Sequence, residues 1–275
     1  STNPYWQPPE HQKAKLCAGG NRNGEMLDFL AECLRYGISI CVAGATSSGK
    51  TTLAGWLLTT MPDGKRIFTI ENGSRELALV REKDGKVTNS VIHTLTRYSE
   101  NEKQNIDQDM LLDMALRFNP EIICVGEMRS SEAYTAQESA RTGHTVLTTI
   151  HSNSCESTYS RMRTLCKRKY DMDDEVLMDL VTEAFPIVVF TKQLENRKRK
   201  LMEIMECEIT ADGKRKFNPL YRYEITENRM EGDRFIINGT HKKVCGISES
   251  LKKRFLVNGM PHDVLERIEK GGKKV

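Results

Sequence analysis

A phosphate-binding loop is predicted at residues 44–51, where the sequence reads Gly-Ala-Thr-Ser-Ser-Gly-Lys-Thr. In such a P-loop the glycines let the backbone wrap around phosphate, so that its N–H groups point inward. Lys50 would reach the β- and γ-phosphates, and the Thr51 hydroxyl would bind Mg²⁺. An apolar run precedes the loop and a helical pattern follows it, which is the context that a working P-loop requires. We therefore predict that a nucleoside triphosphate binds through Gly44, Ala45, Thr46, Ser47, Ser48, Gly49, Lys50, Thr51 and Thr52.

Three further polar side chains follow predicted strands. Glu71 and Glu127 each come after an apolar run, and His151 comes directly after residues 145–150. In open α/β sheets, ligands bind at the carboxyl ends of the strands, so these side chains should share one edge with the P-loop. Taken singly, they could be solvated loop acids and a helix-capping histidine. Together Glu71, Glu127 and His151 suit phosphoryl transfer with Mg²⁺ as catalytic groups, and Glu127 would either bond a water on Mg²⁺ or orient the attacking water.

The two histidines near the third strand cannot both serve one phosphate in the same subunit. His144 and His151 stand at opposite ends of residues 145–150, which places them roughly 20 Å apart in an extended strand. We favour His151 as the residue that senses phosphate. His144 is left as a structural residue or one that acts at a subunit boundary.

Apolar strand patterns alternate with amphipathic helical patterns through most of the chain, which predicts a parallel, doubly wound sheet. Residues 75–98 are ambiguous and hold two strand-like pieces, at 77–80 and 91–95. The other predicted elements are strands at 66–70, 122–125 and 145–150, and helices at 26–34, 110–118, 131–141 and 153–169, the last one capped by Asn153.

The pattern of predicted elements changes after Pro186. Residues 187–191 and 201–209 are typical of an antiparallel pair, residues 217–240 are β-rich, and 247–270 predict two short helices. The turn of the first pair carries four basic residues, and a solvated hairpin tip is favoured over a nucleic-acid contact. These residues are Arg197, Lys198, Arg199 and Lys200.

Composition excludes several classes of function. A net charge of +3 over 275 residues does not argue for nucleic acid or membrane partners. The eight cysteines form no CxxC pair, which disfavours a zinc site and suits reduced thiols. No apolar stretch is long enough to cross a bilayer, and no signal peptide is recognisable.

Four blocks, in this order, resemble the secretion traffic ATPases of type II and type IV secretion, conjugation and type IV or tight-adherence (Flp) pilus assembly. They are residues 44–51, 69–71, 126–129 and 142–151, which look like the family's Walker A, Asp box, atypical Walker B and His box.

The resemblance implies a RecA-like P-loop ATPase core, using ATP and Mg²⁺ and working as a homohexamer. We assign residues 1–21 to a linker arm, 22–192 to this core and 193–275 to a small C-terminal α+β appendage. Arg117, and less strongly Arg97, would supply charge across a subunit boundary. The family implies a cytoplasmic location at the inner face of the membrane, with membrane-embedded secretion or pilus platform proteins as partners.

Some features depart from parts of the family. The absence of a tetracysteine element favours the type IV secretion and Flp pilus branches, and Asn72 stands where an Asp is usual. Members carry an N-terminal domain, and the linker-like start, with Ser1 rather than Met, predicts that it has been removed here. Alternatives are a nucleotide-binding scaffold with little turnover, a RecA-like nucleic-acid motor or a small-molecule kinase, while no Asn-Lys-x-Asp string supports a GTPase.

Overall fold

The structure is a computed structural model that describes residues 23–270, without the side chains of Asn23 and Glu102. The predicted arm at residues 1–21 and the last five residues of the predicted appendage lie outside the described residues. The helices are α1 (Asn23–Arg35), α2 (Lys50–Thr59), α3 (Gln108–Arg117), α4 (Glu132–Arg141), α5 (Cys155–Cys166), α6 (Asp174–Ala184), α7 (Glu249–Val257) and α8 (His262–Lys270). The strands are β1 (Ile40–Gly44), β2 (Ile67–Glu71), β3 (Glu82–Lys83), β4 (Lys86–Val87), β5 (Val91–Leu95), β6 (Ile122–Met128), β7 (Thr145–Ile150), β8 (Ile187–Gln193), β9 (Arg199–Ile209), β10 (Arg215–Glu231) and β11 (Arg234–Lys243).

Nine of these strands form one sheet in the order β11-β10-β9-β8-β1-β7-β6-β2-β5. The six strands from β8 to β5 pair in parallel, and β9, β10 and β11 extend the sheet through antiparallel pairs. The prediction of a mostly parallel α/β sheet is therefore confirmed. No helix among residues 23–270 is long and apolar enough to span a membrane.

The sheet separates two hydrophobic cores, as a doubly wound fold requires. Successive residues of a strand point to opposite faces, so Ile40 and Val42 of β1 enter one core while Cys41 and Ala43 enter the other. Helices α1, α2, α7 and α8 pack in the first core, and α3, α4, α5 and α6 pack in the second. Burial on both faces explains why these strands read as continuous apolar runs.

The described part of the C-terminal segment shares both the sheet and a core with the rest of the chain. Strand β9 pairs with β8, and Leu251, Phe255 and Leu265 belong to the same buried cluster as Leu27 and Leu30 of α1. The division into a core and an appendage at residue 192 stays a prediction.

Three local expectations differ from the structure. Residues 77–80 form no strand, although Leu77 and Leu79 are buried, because the segment packs its apolar side chains without a sheet neighbour. Strand β6 runs through Met128 rather than ending at residue 125, with an irregularity in its pairing to β7 after Val125. Helix α5 is capped by Ser154 rather than Asn153, because the Ser154 hydroxyl accepts the N–H of Ser157.

Candidate active site

The P-loop joins the end of β1 to the start of α2, as its sequence context predicts. Gly49 precedes α2 with a φ of 101°, in the left-handed region that favours glycine. Gly44 has no room for a side chain, since a Cβ there would lie 2.4 Å from the carbonyl oxygen of Thr191. The loop is therefore closely packed at its base and needs glycine at both positions.

Lys50 points back along the loop. Its Nζ donates hydrogen bonds to the carbonyl oxygens of Gly44 at 3.1 Å and Ala45 at 2.9 Å. Burial lowers the pKa of the Lys50 ammonium below its ordinary value, and the Glu127 carboxylate partly offsets this effect. A phosphate anion could offer the same ammonium a charged acceptor in place of two neutral carbonyls.

Glu71 ends β2 and is almost fully buried, with 4% of the residue exposed. Its Oε1 accepts the backbone N–H groups of Glu76 at 2.7 Å and Leu77 at 2.9 Å. Its Oε2 lies 3.7 Å from Nδ1 of His93 and accepts no hydrogen bond from any described residue. Burial acts to raise the pKa of Glu71, but His93 and the two N–H groups outweigh it, so that the pKa lies below its ordinary value.

Glu127 lies near the end of β6, where its carboxylate contacts the imidazole of His151 and the guanidinium of Arg129. Its Oε1 is 2.8 Å from Nε2 of His151, and its Oε2 accepts a hydrogen bond from Arg129 at 2.6 Å. Hydrogen bonding to Glu127 raises the pKa of the Arg129 guanidinium. His151, which directly follows β7, is thus brought to Glu127 across the sheet edge.

Gly126 lets β6 approach β2 closely beside these acids. A Cβ at residue 126 would lie 3.1 Å from the carbonyl oxygen of Ile70 and 3.6 Å from Cα of Glu71. The carbonyl oxygen of Gly126 also accepts the hydroxyl of Thr149 at 2.7 Å. The glycine that precedes Glu127 is therefore a packing requirement of the site.

One cavity of about 420 Å³ collects seven of the fourteen predicted site residues. Its lining includes Thr46, Ser47, Lys50, Thr51, Glu71, Asn72, Glu127, Arg129, Thr149 and His151. Among residues 23–270 no group of three or more His, Cys, Asp or Glu side chains could hold a metal ion alone. Mg²⁺ is typically held by one or two protein groups together with substrate phosphates, so Thr51 and Glu127 fit this role.

The remaining sequence-predicted residues lie elsewhere. Arg97 and Arg117 are exposed, and their side chains form no hydrogen bond or ion pair within the described part of the chain. His144 lies at the other end of β7, where its Nδ1 is 2.8 Å from the carbonyl oxygen of Pro120. The separation of the two histidines along β7 is therefore as predicted.

Sequence reasoning missed four residues around the site. His93 contacts Glu71 from the neighbouring strand β5, and the Thr149 and Thr191 hydroxyls bond backbone carbonyls of Gly126 and Ala43. No local signal marks them, because each contact depends on strand order. The fourth, Arg199, lies in the basic run that was predicted to be a solvated tip, yet its Nε donates to the Ser47 carbonyl at 2.7 Å.

A P-loop at the carboxyl edge of a mostly parallel sheet, with acids on the adjacent strand ends, defines a P-loop protein with a RecA-like core. The chain belongs to the family described as Type II/IV secretion system protein, whose model matches residues 8–244. This confirms the resemblance drawn from the four sequence blocks.

The relatives that the chain matches include type IV secretion proteins. The chain is 27% identical over 200 residues to Protein VirB11 of Rhizobium radiobacter, covering 70% of this chain and 54% of that protein. It is 31% identical over 189 residues to the type IV secretion system protein PtlH of Bordetella pertussis, covering 66% of this chain and 54% of that protein. The chain thus spans about half the length of these curated relatives.

A solved structure supports the same likeness. The crystal structure of the VirB11 ATPase from the Brucella suis type IV secretion system, in complex with sulphate, matches with a TM-score of 0.57 and 26% identity. The match covers 73% of this chain and 56% of that one.

Proposed function

We propose that this chain carries the ATP-hydrolysing part of a motor that powers type IV secretion, conjugation or Flp-type pilus assembly. The observation that carries the proposal is the convergence of Lys50, Glu71, Glu127 and His151 on one cavity beside the P-loop. Family membership supports the link to secretion.

Each side chain has a role that its surroundings support. Lys50, which within the described residues bonds two neutral carbonyls, would bind the β- and γ-phosphates. The buried Oε2 of Glu71 lacks a hydrogen-bond partner among the described residues and stays ionised at neutral pH, so it can accept a proton from an attacking water. His151 would sense the terminal phosphate through its contact with Glu127.

Thr51 and Glu127 would hold Mg²⁺ together with the nucleotide. Bound Mg²⁺ supplies charge neutralisation on the phosphates. To take part, Glu127 would have to give up its hydrogen bond from Arg129 to Oε2 or its close contact with His151, whose Nε2 lies 2.8 Å from Oε1. Nucleotide binding is therefore expected to rearrange the contacts among Glu127, Arg129 and His151.

The exposed side chains of Arg97 and Arg117 are consistent with a homohexamer. The side chains of Arg97 and Arg117 form no hydrogen bond or ion pair within the described residues and could supply charge to the nucleotide of a neighbouring subunit. Light scattering of the 275-residue chain with and without Mg²⁺-ATP tests this assembly. A monomer under both conditions would contradict ring formation by this chain.

The cellular setting is proposed from the family. The motor would act at the inner face of the cytoplasmic membrane, with membrane-embedded platform proteins as partners, and the VirB11 and PtlH likenesses favour the type IV branch. We retain residues 22–192 as the ATPase core and 193–275 as its appendage.

A second candidate is a nucleotide-binding scaffold with little turnover. Asn72 supports it, because this residue has no carboxylate and its side-chain oxygen accepts the hydroxyl of Thr96. Phosphate release from Mg²⁺-ATP separates the two proposals. The motor predicts steady release, whereas tight ATP binding with no release above buffer would favour the scaffold.

A further inference from the structure

The β8–β9 hairpin reaches the P-loop through Arg199. Its Nε donates a 2.7 Å hydrogen bond to the carbonyl oxygen of Ser47, and its aliphatic part lies against Gly49, where an added Cβ would be 3.4 Å from Cδ of Arg199. The Nη groups have no partner among residues 23–270. We infer that Arg199 is a positioning residue of the nucleotide site, an inference that rests on the proposed function.

The hairpin tip, residues 194–198, is well anchored and can hold Arg199 in place. The N–H of Leu194 donates to the carbonyl oxygen of Lys198 at 2.9 Å, and the Asn196 side-chain amide donates to the carbonyl oxygen of Ile237 in β11 at 3.1 Å. Leu194 also packs with Tyr223 and Ile237 in a small buried cluster. A charged residue on such an anchored hairpin costs less loop-ordering entropy on binding than one on a mobile loop.

The same hairpin contacts the base of the loop through Thr191. Its hydroxyl donates to the carbonyl oxygen of Ala43 at 3.1 Å and lies 2.9 Å from the Ser48 hydroxyl. The carbonyl oxygen of Thr191 faces Gly44 so closely that only glycine fits there. The P-loop is therefore supported by one hairpin at both its start and its middle.

The geometry of the peptide bond explains what the Arg199 contact does. The carbonyl of Ser47 and the N–H of Ser48 belong to one planar trans unit, so they point in opposite directions. The Ser48 N–H reaches the carbonyl oxygen of Ala45 at 3.3 Å, and Nζ of Lys50 reaches the same oxygen at 2.9 Å. By holding the Ser47 carbonyl outward, Arg199 keeps the Ser48 N–H on the lysine side of the loop, where phosphate would bind.

The guanidinium also places a permanent positive charge beside the P-loop. Arg199→Met removes both the charge and the hydrogen bond, whereas Arg199→Gln removes the charge and keeps an N–H donor. Lys198→Met is the matched control, since it removes one exposed charge from the same hairpin without touching the P-loop.

The test is displacement of a fluorescent methylanthraniloyl-ATP by ATP in Mg²⁺ at several salt concentrations, with thermal unfolding as a check on folding. We expect Arg199→Met to raise the Kd for ATP about tenfold, the low end for loss of a charge-assisted hydrogen bond, because the residue is exposed. Arg199→Gln should fall between Arg199→Met and the wild type, and Lys198→Met should stay within about twofold of the wild type. The Kd of Arg199→Met should also depend less on salt than that of the wild type.

Two outcomes overturn the inference in distinguishable ways. A wild-type Kd in folded Arg199→Met, or the same loss in Lys198→Met, would show that Arg199 does not position the loop, while leaving the proposed function intact. Failure of the wild-type chain to bind the nucleotide at all would overturn both.

Discussion

Gly126 is predicted to control the position of Glu71, and Gly126→Ala tests this directly. The added Cβ would lie 3.1 Å from the carbonyl oxygen of Ile70 and 3.8 Å from Cγ of Glu71. Because the first of these neighbours is backbone, β2 must shift by a few tenths of an ångström to restore ordinary contact.

The size of the effect follows from that displacement. A misplacement of about 1 Å can cost on the order of a hundredfold in rate, so a shift of roughly 0.3 Å should lower kcat about fourfold. Overpacking should also lower the free energy of unfolding by about 1 kcal/mol, which corresponds to roughly 2–4 °C in Tm for a chain of this size.

Phosphate release at saturating Mg²⁺-ATP and thermal unfolding are the measurements. Gly64→Ala is the matched control, because nothing lies within 4 Å of a Cβ at that residue. Equal kcat in Gly126→Ala, Gly64→Ala and the wild type would refute the claim that the close approach of β6 and β2 sets the geometry of Glu71.

Three further predictions follow from contacts near the site. Thr191→Val removes a buried hydroxyl bonded to the P-loop, so we expect about 1–2 kcal/mol of lost stability in chemical denaturation and weaker ATP binding, and unchanged values of both would contradict the hairpin's support of the loop. His93→Gln removes an imidazole that lowers the pKa of Glu71, so the opposing effect of burial should raise that pKa and move the acid limb of the kcat–pH profile to higher pH. An unmoved limb would exclude His93 as the group that keeps Glu71 ionised. Arg117→Ala should leave ATP binding by the monomer unchanged and lower turnover only under conditions where rings form, as judged by light scattering, and an equal loss in the monomer would argue against a role across subunits.

Sequence patterns were sufficient where one short segment carries the whole signal. The P-loop, the strand at residues 145–150 and the helix at 110–118 could be read directly, because phosphate binding, burial and helical periodicity each leave local marks. Glu71, Glu127 and His151 could be placed together because parallel strands end at one edge of a sheet.

Contacts between distant segments could not be predicted in the same way. Arg199 and Ser47 are separated by more than half the chain in sequence, and only the pairing of β8 with both β1 and β9 brings them together. A run of four basic residues carries no mark that singles out one of them. His93 escaped notice for a similar reason, since its neighbour Glu71 lies across the β2–β5 pair.

The most direct test of the central claim is ATP turnover by Lys50→Ala and Glu127→Gln beside the wild-type chain. Lys198→Met and Glu156→Gln are controls that make similar charge changes at exposed positions away from the cavity. The account predicts steady phosphate release by the wild type and the controls, and a loss of about a hundredfold or more in each of the two site variants. Unchanged turnover in either site variant would contradict the claim that this cavity hydrolyses ATP.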